Sequence, residues 1–118
     1  MKPVVAVVLL AMTGASALAA QPPQEFVGTW QFSTKEVWID IHADGTAFQC
    51  RIAPLGSVFN AKGSFVPPHS IRWESNFWGT DSLELADGYL VTSGKTGTHS
   101  LHPARQPLDP RCHNKSDM

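Results

Sequence analysis

The sequence predicts an all-β protein, a small antiparallel up-and-down meander of about eight short strands that closes into a barrel or curls into a strongly bent sheet, behind a cleaved signal peptide. Three observations lead there. Asp44-Gly45 and Asp87-Gly88 each stand between runs of alternating apolar and polar residues. Asp followed by Gly best tolerates the positive φ that a two-residue type I′ hairpin turn requires at both central positions. A third turn signal, Pro67-Pro68-His69, separates two further alternating runs, and nothing after the N-terminal twenty residues has helical period.

The first twenty residues combine Lys2, an apolar run from Val4 to Leu10 and the small-residue stretch Ala17-Leu18-Ala19-Ala20. That layout predicts a secretory signal, residues 1–20, cut after Ala19 or Ala20. The apolar run is about half the length needed to cross a bilayer. No Cys follows the cleavage region to carry a lipid, so a soluble mature chain in the periplasm or outside the cell is expected. Its charge is near neutral: losing Lys2 from nine basic residues leaves eight against ten acidic ones. Such a surface does not attract nucleic acid or anionic lipid.

The mature chain is expected to be one small domain, residues 21–103, with a tail, residues 104–118. Phe26 to Ser33 reads as the first strand, with Phe26, Gly28, Trp30 and Phe32 on one side. A Thr34-Lys35 turn sets Trp30 opposite Ile39 and Phe32 opposite Val37. Closing the next hairpin at Asp44-Gly45 sets Ile41 opposite Phe48, Ile39 opposite Cys50 and Val37 opposite Ile52, a wholly apolar face. The other face then pairs Asp40 with Gln49 and Trp38 with Arg51. A three-residue loop at Pro67-Pro68-His69 pairs Phe65 with Ile71, Gly63 with Trp73 and Phe59 with Phe77. Its outer face carries Lys62 beside Glu74 and Ser64 beside Arg72. Asp87-Gly88 pairs Leu85 with Leu90 and Leu83 with Thr92, and a last strand runs from Thr96 to Leu101. Eight such strands make a barrel about wide enough to be filled by its own side chains, so no large cavity is expected.

Two cysteines in an exported chain are expected to form a disulfide, Cys50 to Cys112. The register just given turns Cys50 inward, so the tail would have to tuck Cys112 into an end of the core. The alternative is a buried free Cys50 and an exposed thiol in the tail.

Phe26-Val27-Gly28-Thr29-Trp30 resembles the Gly-x-Trp signature that opens the first strand of lipocalins and related calycin barrels, followed there too by a hairpin meander. The resemblance implies a barrel whose Trp30 packs across the closed end against an Arg from near the last strand, for which Arg105 is the counterpart. In size the chain is similar to the exported bacterial metallopeptidase inhibitors. It lacks the Thr-Asp-Tyr element of lipocalins, its cysteines sit elsewhere than in those inhibitors, and Gln21-Pro22-Pro23-Gln24 does not match their inhibitory N-terminus.

Catalytic and metal motifs are largely missing. Gly94-Lys95-Thr96 lacks the preceding glycine and following helix of a phosphate loop and reads as a turn. Lys95-Thr96-Gly97 has no Ser-x-x-Lys nucleophile to serve. Asp40 and His42 share a face, but their neighbours supply no third ligand, so a solvated polar face is expected. His99 and His102 fall on opposite faces of a strand, and with His113 could converge only in a loop. Asn114-Lys115-Ser116 fits a glycosylation sequon. No catalytic residue, metal or cofactor is assigned.

What remains is an outer face carrying Trp38, Arg51, Arg72 and Trp78, residue types that anchor protein interfaces, although Trp38 stacked on Arg51 would also serve a sheet alone. The expectation is an exported, non-enzymatic binding protein that blocks a protein partner through that face, as an inhibitor or immunity-type protein does. The alternative is a lipocalin-like carrier of a small apolar ligand, held among Trp30, Phe48, Phe59, Phe65 and Trp73.

Overall fold

The computed structural model describes residues 20–32, 36–105 and 107–115. The signal peptide, the Thr34-Lys35 turn and Ser116 of the sequon lie outside them. Eight antiparallel strands follow one another around a closed barrel: β1 (Gly28–Phe32), β2 (Val37–Ile41), β3 (Thr46–Ile52), β4 (Val58–Val66), β5 (Ser70–Trp73), β6 (Thr80–Ala86), β7 (Tyr89–Gly94) and β8 (Gly97–Pro103). β8 returns to pair with β1, with Phe32 opposite Leu101 and Trp30 opposite Pro103. Closure leaves no edge strand running the length of the sheet.

Period-two alternation places Trp30, Ile39, Ile41, Ala47, Phe65, Ile71, Trp73, Leu83, Leu90 and Leu101 in one buried cluster inside the barrel. One end is shut by a short 3-10 helix, Gln24–Phe26, whose buried Phe26 also offers its carbonyl to the Trp30 indole N–H at 3.0 Å. Arg105, the counterpart implied for Trp30, is exposed. Gly63 is required where it stands, since a Cβ there would lie 2.6 Å from the Trp73 ring.

Three hairpins pair as the sequence predicts. Trp30 faces Ile39; Gly63 faces Trp73 and Phe65 faces Ile71; Leu85 faces Leu90 and Leu83 faces Thr92. Asp87 and Gly88 both have positive φ, 53° and 83°, as a two-residue turn demands.

The β2–β3 hairpin is the exception, displaced by one residue. Ile41 faces Ala47, Ile39 faces Gln49, Trp38 faces Cys50 and Val37 faces Arg51. The cause is the turn. His42 N–H donates to the Thr46 carbonyl, Gly45 N–H donates to His42, and only Gly45 has positive φ, 94°. Ala43, Asp44 and Gly45 thus form a three-residue loop, a tight turn followed by a left-handed glycine. The Asp44 carboxylate, which accepts from the Thr46 N–H at 2.9 Å and hydroxyl at 2.7 Å, holds it.

That single residue reverses both faces of β3. Cys50 and Ile52 face outward beside Trp38, and Gln49 and Arg51 face into the barrel. The expected Trp38–Arg51 pair therefore does not exist, and Trp38, 4% exposed, is not on a solvent face. It lies in a second apolar cluster outside the barrel with Cys50, Ile52 and Cys112, flanked by Phe48, Val58, Ala104 and Leu108. The segment after β8, ending in helix α1 (Pro110–Lys115), covers that cluster, stapled by the Cys50–Cys112 disulfide. Cys112 does not have to enter the core, because Cys50 comes out to meet it. Phe48 leaves the interior for the same reason.

Candidate functional site

The end of the barrel opposite the 3-10 helix is where polar and apolar functional groups converge. It is bounded by the β3–β4 loop, the β5–β6 loop (Glu74 to Gly79) and the β7–β8 turn. Because β3 is shifted, Arg51 points into this mouth. Its Nε–H donates to the Gln49 Oε1 at 2.9 Å and a terminal N–H to the Thr96 hydroxyl at 3.3 Å. Its guanidinium carbon lies 5.1 Å from the centre of the Trp78 ring, a cation–π contact. Burial draws the Arg51 pKa downward, partly offset by the charge of Asp81. Among the described residues no carboxylate lies within ion-pair distance of Arg51.

Trp78 is 4% exposed rather than on the outer face: the β5–β6 loop folds back through Gly79 N–H to the Ser75 carbonyl and lays the indole edge-on against Trp73 at 6.2 Å. Beneath lies Asp81, a buried carboxylate that accepts the Trp73 indole N–H at 2.9 Å. Burial pushes the Asp81 carboxyl upward, against the opposing pull of the Trp73 hydrogen bond, Arg51 and His99.

Two hollows adjoin these groups. Within the barrel a cavity of about 50 Å³ is lined by residues including Gln49, Arg51, Thr92 and His99. Gln49 is 1% exposed and its Nε2 has no hydrogen-bond partner among the described residues. A cavity of that size accommodates a water or two. Outside, a cleft of about 600 Å³ is lined by Arg51, Val58, Phe59, Asn60, Ser75, Phe77 and Trp78. Phe59 and Phe77 are 55% and 72% exposed there, and Leu55 in the adjoining β3–β4 loop stands free in solvent.

Of the four outer-face residues predicted, the fold brings Arg51 and Trp78 together at the mouth. Trp38 lies under the C-terminal segment, and Arg72 is exposed on the wall opposite Ser64. Phe59 and Phe77, expected to face one another across a hairpin, do not pair: β5 ends at Trp73, and the polar run Glu74-Ser75-Asn76 before Gly79 is the signal that a loop replaces the strand. Gln49 and Asp81 were beyond sequence reasoning, the first because of the register shift and the second because nothing local marks an Asp as interior.

Among the described residues no three His, Cys, Asp or Glu side chains cluster as metal ligands do. His99 faces inward against Phe32, whereas His102 bonds the Pro103 carbonyl; the His113 side chain lies outside the described residues. Asp40, His42 and Thr46 form a hydrogen-bonded row at 3.1 and 2.8 Å. Thr29 donates to the other Asp40 oxygen at 3.0 Å. The order is reminiscent of a nucleophile, base and acid. The Thr46 hydroxyl proton, however, is given to Asp44, so the row ties the hairpin and does not poise Thr46 for attack.

Among the described residues no helix is long and apolar enough to cross a membrane. Comparison with protein-family models, curated proteins and solved structures finds no match to this chain.

Proposed function

We propose that this chain is an exported, non-enzymatic binding protein that engages and blocks a protein partner, in the manner of an inhibitor or immunity-type protein, using the open end of its barrel. The observation that carries this reading is where the empty space lies. The interior offers about 50 Å³, whereas the mouth offers a cleft of about 600 Å³ edged by exposed Phe59 and Phe77 with Arg51 and Trp78 at its base. Aromatic residues and Arg clustered at a partly desolvated concavity have the composition of interface anchors. A lipocalin-like carrier needs a cavity of roughly 300 Å³ or more inside the barrel. The disulfide is compatible with an extracellular or periplasmic site of action.

The test is capture of a partner from the envelope and secreted fractions on the mature protein, followed by titration with the Phe59→Ser/Phe77→Ser double variant. Both rings are largely in solvent, so the variant should melt within about 0.5 kcal/mol per site of the wild type. Partner affinity should fall by at least about 2 kcal/mol. Undiminished affinity would exclude the mouth as the binding surface.

A further inference from the structure

The barrel is closed by strand order, but not along its whole height. β4 runs over nine residues from Val58 to Val66, while its pairing to β5 covers only Gly63 to Val66, and the last backbone bond across that seam runs from the Glu74 N–H to the Lys62 carbonyl. Beyond it the chain leaves β4 and turns back through the β5–β6 loop, so Val58 to Ala61 have a strand on the β3 side only.

Which backbone groups are left over follows from the alternation of an antiparallel ladder, in which a residue's N–H and C=O point to the same side and successive residues to opposite sides. Phe65 donates to Gly45 at the β3 end and Lys62 accepts from Glu74 at the β5 end. The odd-numbered residues of β4 therefore bond toward β3, and the even-numbered ones away from it. Val58 and Asn60 turn both backbone N–H and C=O groups into the 600 Å³ cleft, which they line together with Arg51, Phe59, Phe77 and Trp78. Among the described residues no backbone group bonds to them there.

We propose that this stretch of β4 is a docking edge for an extended peptide segment of a protein partner, added to the barrel as a short extra strand between β4 and the β5–β6 loop. The proposal rests on the mouth being the binding end and specifies what binds there. Four free residues of edge span about 13 Å, enough for a strand of about four residues. Main-chain bonds to Val58 and Asn60 supply affinity without regard to sequence. Specificity comes from the alternate side chains that face the mouth, where the exposed rings accept an apolar residue. Arg51, with no carboxylate in ion-pair distance among the described residues and no acidic residue lining the cleft, donates to the carboxylate of an Asp, a Glu or a chain terminus.

The experiment selects binders from a library of random linear peptides on the full mature protein, then follows amide hydrogen exchange of Val58 and Asn60 with and without a selected peptide. Val58→Pro removes one edge N–H at the first residue of a strand, a position that tolerates proline. The expected results are slowed exchange at Val58 and Asn60, enrichment of acidic residues beside apolar ones, loss of that acidic preference in Arg51→Met, and affinity weakened about tenfold or more by Val58→Pro. Exchange is read on the wild type, so the proposal remains open to refutation if Val58→Pro does not fold. Failure to select any peptide, or selected peptides that leave both amides unprotected, overturns it. So does protection of both amides in the free protein with a dimer by sedimentation, since a second copy then occupies the edge. A partner whose binding depends on Phe59 and Phe77 but leaves these amides exchanging freely overturns the edge and leaves the mouth standing. A partner indifferent to both rings overturns the mouth itself.

Discussion

Trp38 shows how far a single side chain's role depends on its surroundings. On a solvent face its loss would cost little. Packed beneath the C-terminal segment at 4% exposure, Trp38→Ala should destabilise the protein by about 3 to 5 kcal/mol. Its indole Nε1 has no hydrogen-bond partner among the described residues, so Trp38→Phe, which keeps a ring and removes that N–H, should cost less than about 1.5 kcal/mol. Urea melts of the two variants check the ordering, and equal losses would mean that the cluster does not depend on ring packing. Asp81 carries a second test. Burial raises its folded-state pKa above that of the unfolded chain, so between the two values the folded state binds more protons. Stability therefore falls as pH rises through that window and is regained on acidification. Asp81→Asn keeps an acceptor for the Trp73 indole and abolishes the titration. The stability of wild type relative to this variant should improve steadily from neutral pH down into the carboxylate range. A difference that stays constant with pH would contradict the burial. Asp44 runs the other way: its carboxyl is held below the ordinary range by the Thr46 hydroxyl and N–H. What it contributes is present above the ordinary carboxylate pKa and disappears as pH falls through the depressed value.

Among the elements, the two Asp-Gly hairpins differ in a way that local composition does not reveal. Asp87-Gly88 is a two-residue loop with both residues at positive φ, and Asp44-Gly45 is the last two residues of a three-residue loop closed by His42 and Thr46. Deleting Ala43 leaves Asp44-Gly45 as a two-residue loop between the same closing pair, so every contact of β3 should be retained. The expected outcome is a folded protein with no free thiol on titration of denatured, unreduced chain. Two free thiols in that variant would mean that Ala43 and Thr46 close the native turn and that β3 has its other face inward. The β5–β6 loop is the converse case, an element whose departure from regular pairing produces the mouth. By leaving β4 after Glu74 it frees the Val58 to Ala61 edge and brings Trp78 over Arg51.

At the scale of the whole molecule, the disulfide lies within the outer cluster and ties the C-terminal segment to β3. It closes a loop with a sequence separation of 62 residues and holds the C-terminal segment over Trp38, Phe48 and Ile52. Cys112→Ser should cost about 4 kcal/mol through the lost chain constraint. It should also uncover the outer apolar cluster, raising binding of a hydrophobic dye to the folded state. A variant that melts within about 1 kcal/mol of wild type and binds no more dye would show that the tail docks without its staple.

Taken alone, the sequence determined the all-β class, the up-and-down order and three of the registers, because alternation and turn chemistry are local and each hairpin tests itself against its own partner. It also made a Cys50–Cys112 disulfide the expected pairing, with free thiols as the alternative, and the structure shows the bond. Tertiary structure decided which face of β3 lines the barrel interior and which lies under the C-terminal segment. The predicted register gave β2 and β3 a wholly apolar face of Val37, Ile39, Ile41, Phe48, Cys50 and Ile52, whereas the observed one sets Arg51 and Gln49 opposite Val37 and Ile39. What separates them is the loop hydrogen bonding together with an outer cluster built from a segment more than fifty residues away. The mouth followed from that choice. Arg51 and Gln49 point inward only in the shifted register, and Phe59, Phe77 and the free edge of β4 are exposed only because β5 ends early. The first fact is not written in residues that are neighbours along the chain, whereas the second has a local signal in Glu74-Ser75-Asn76 before Gly79.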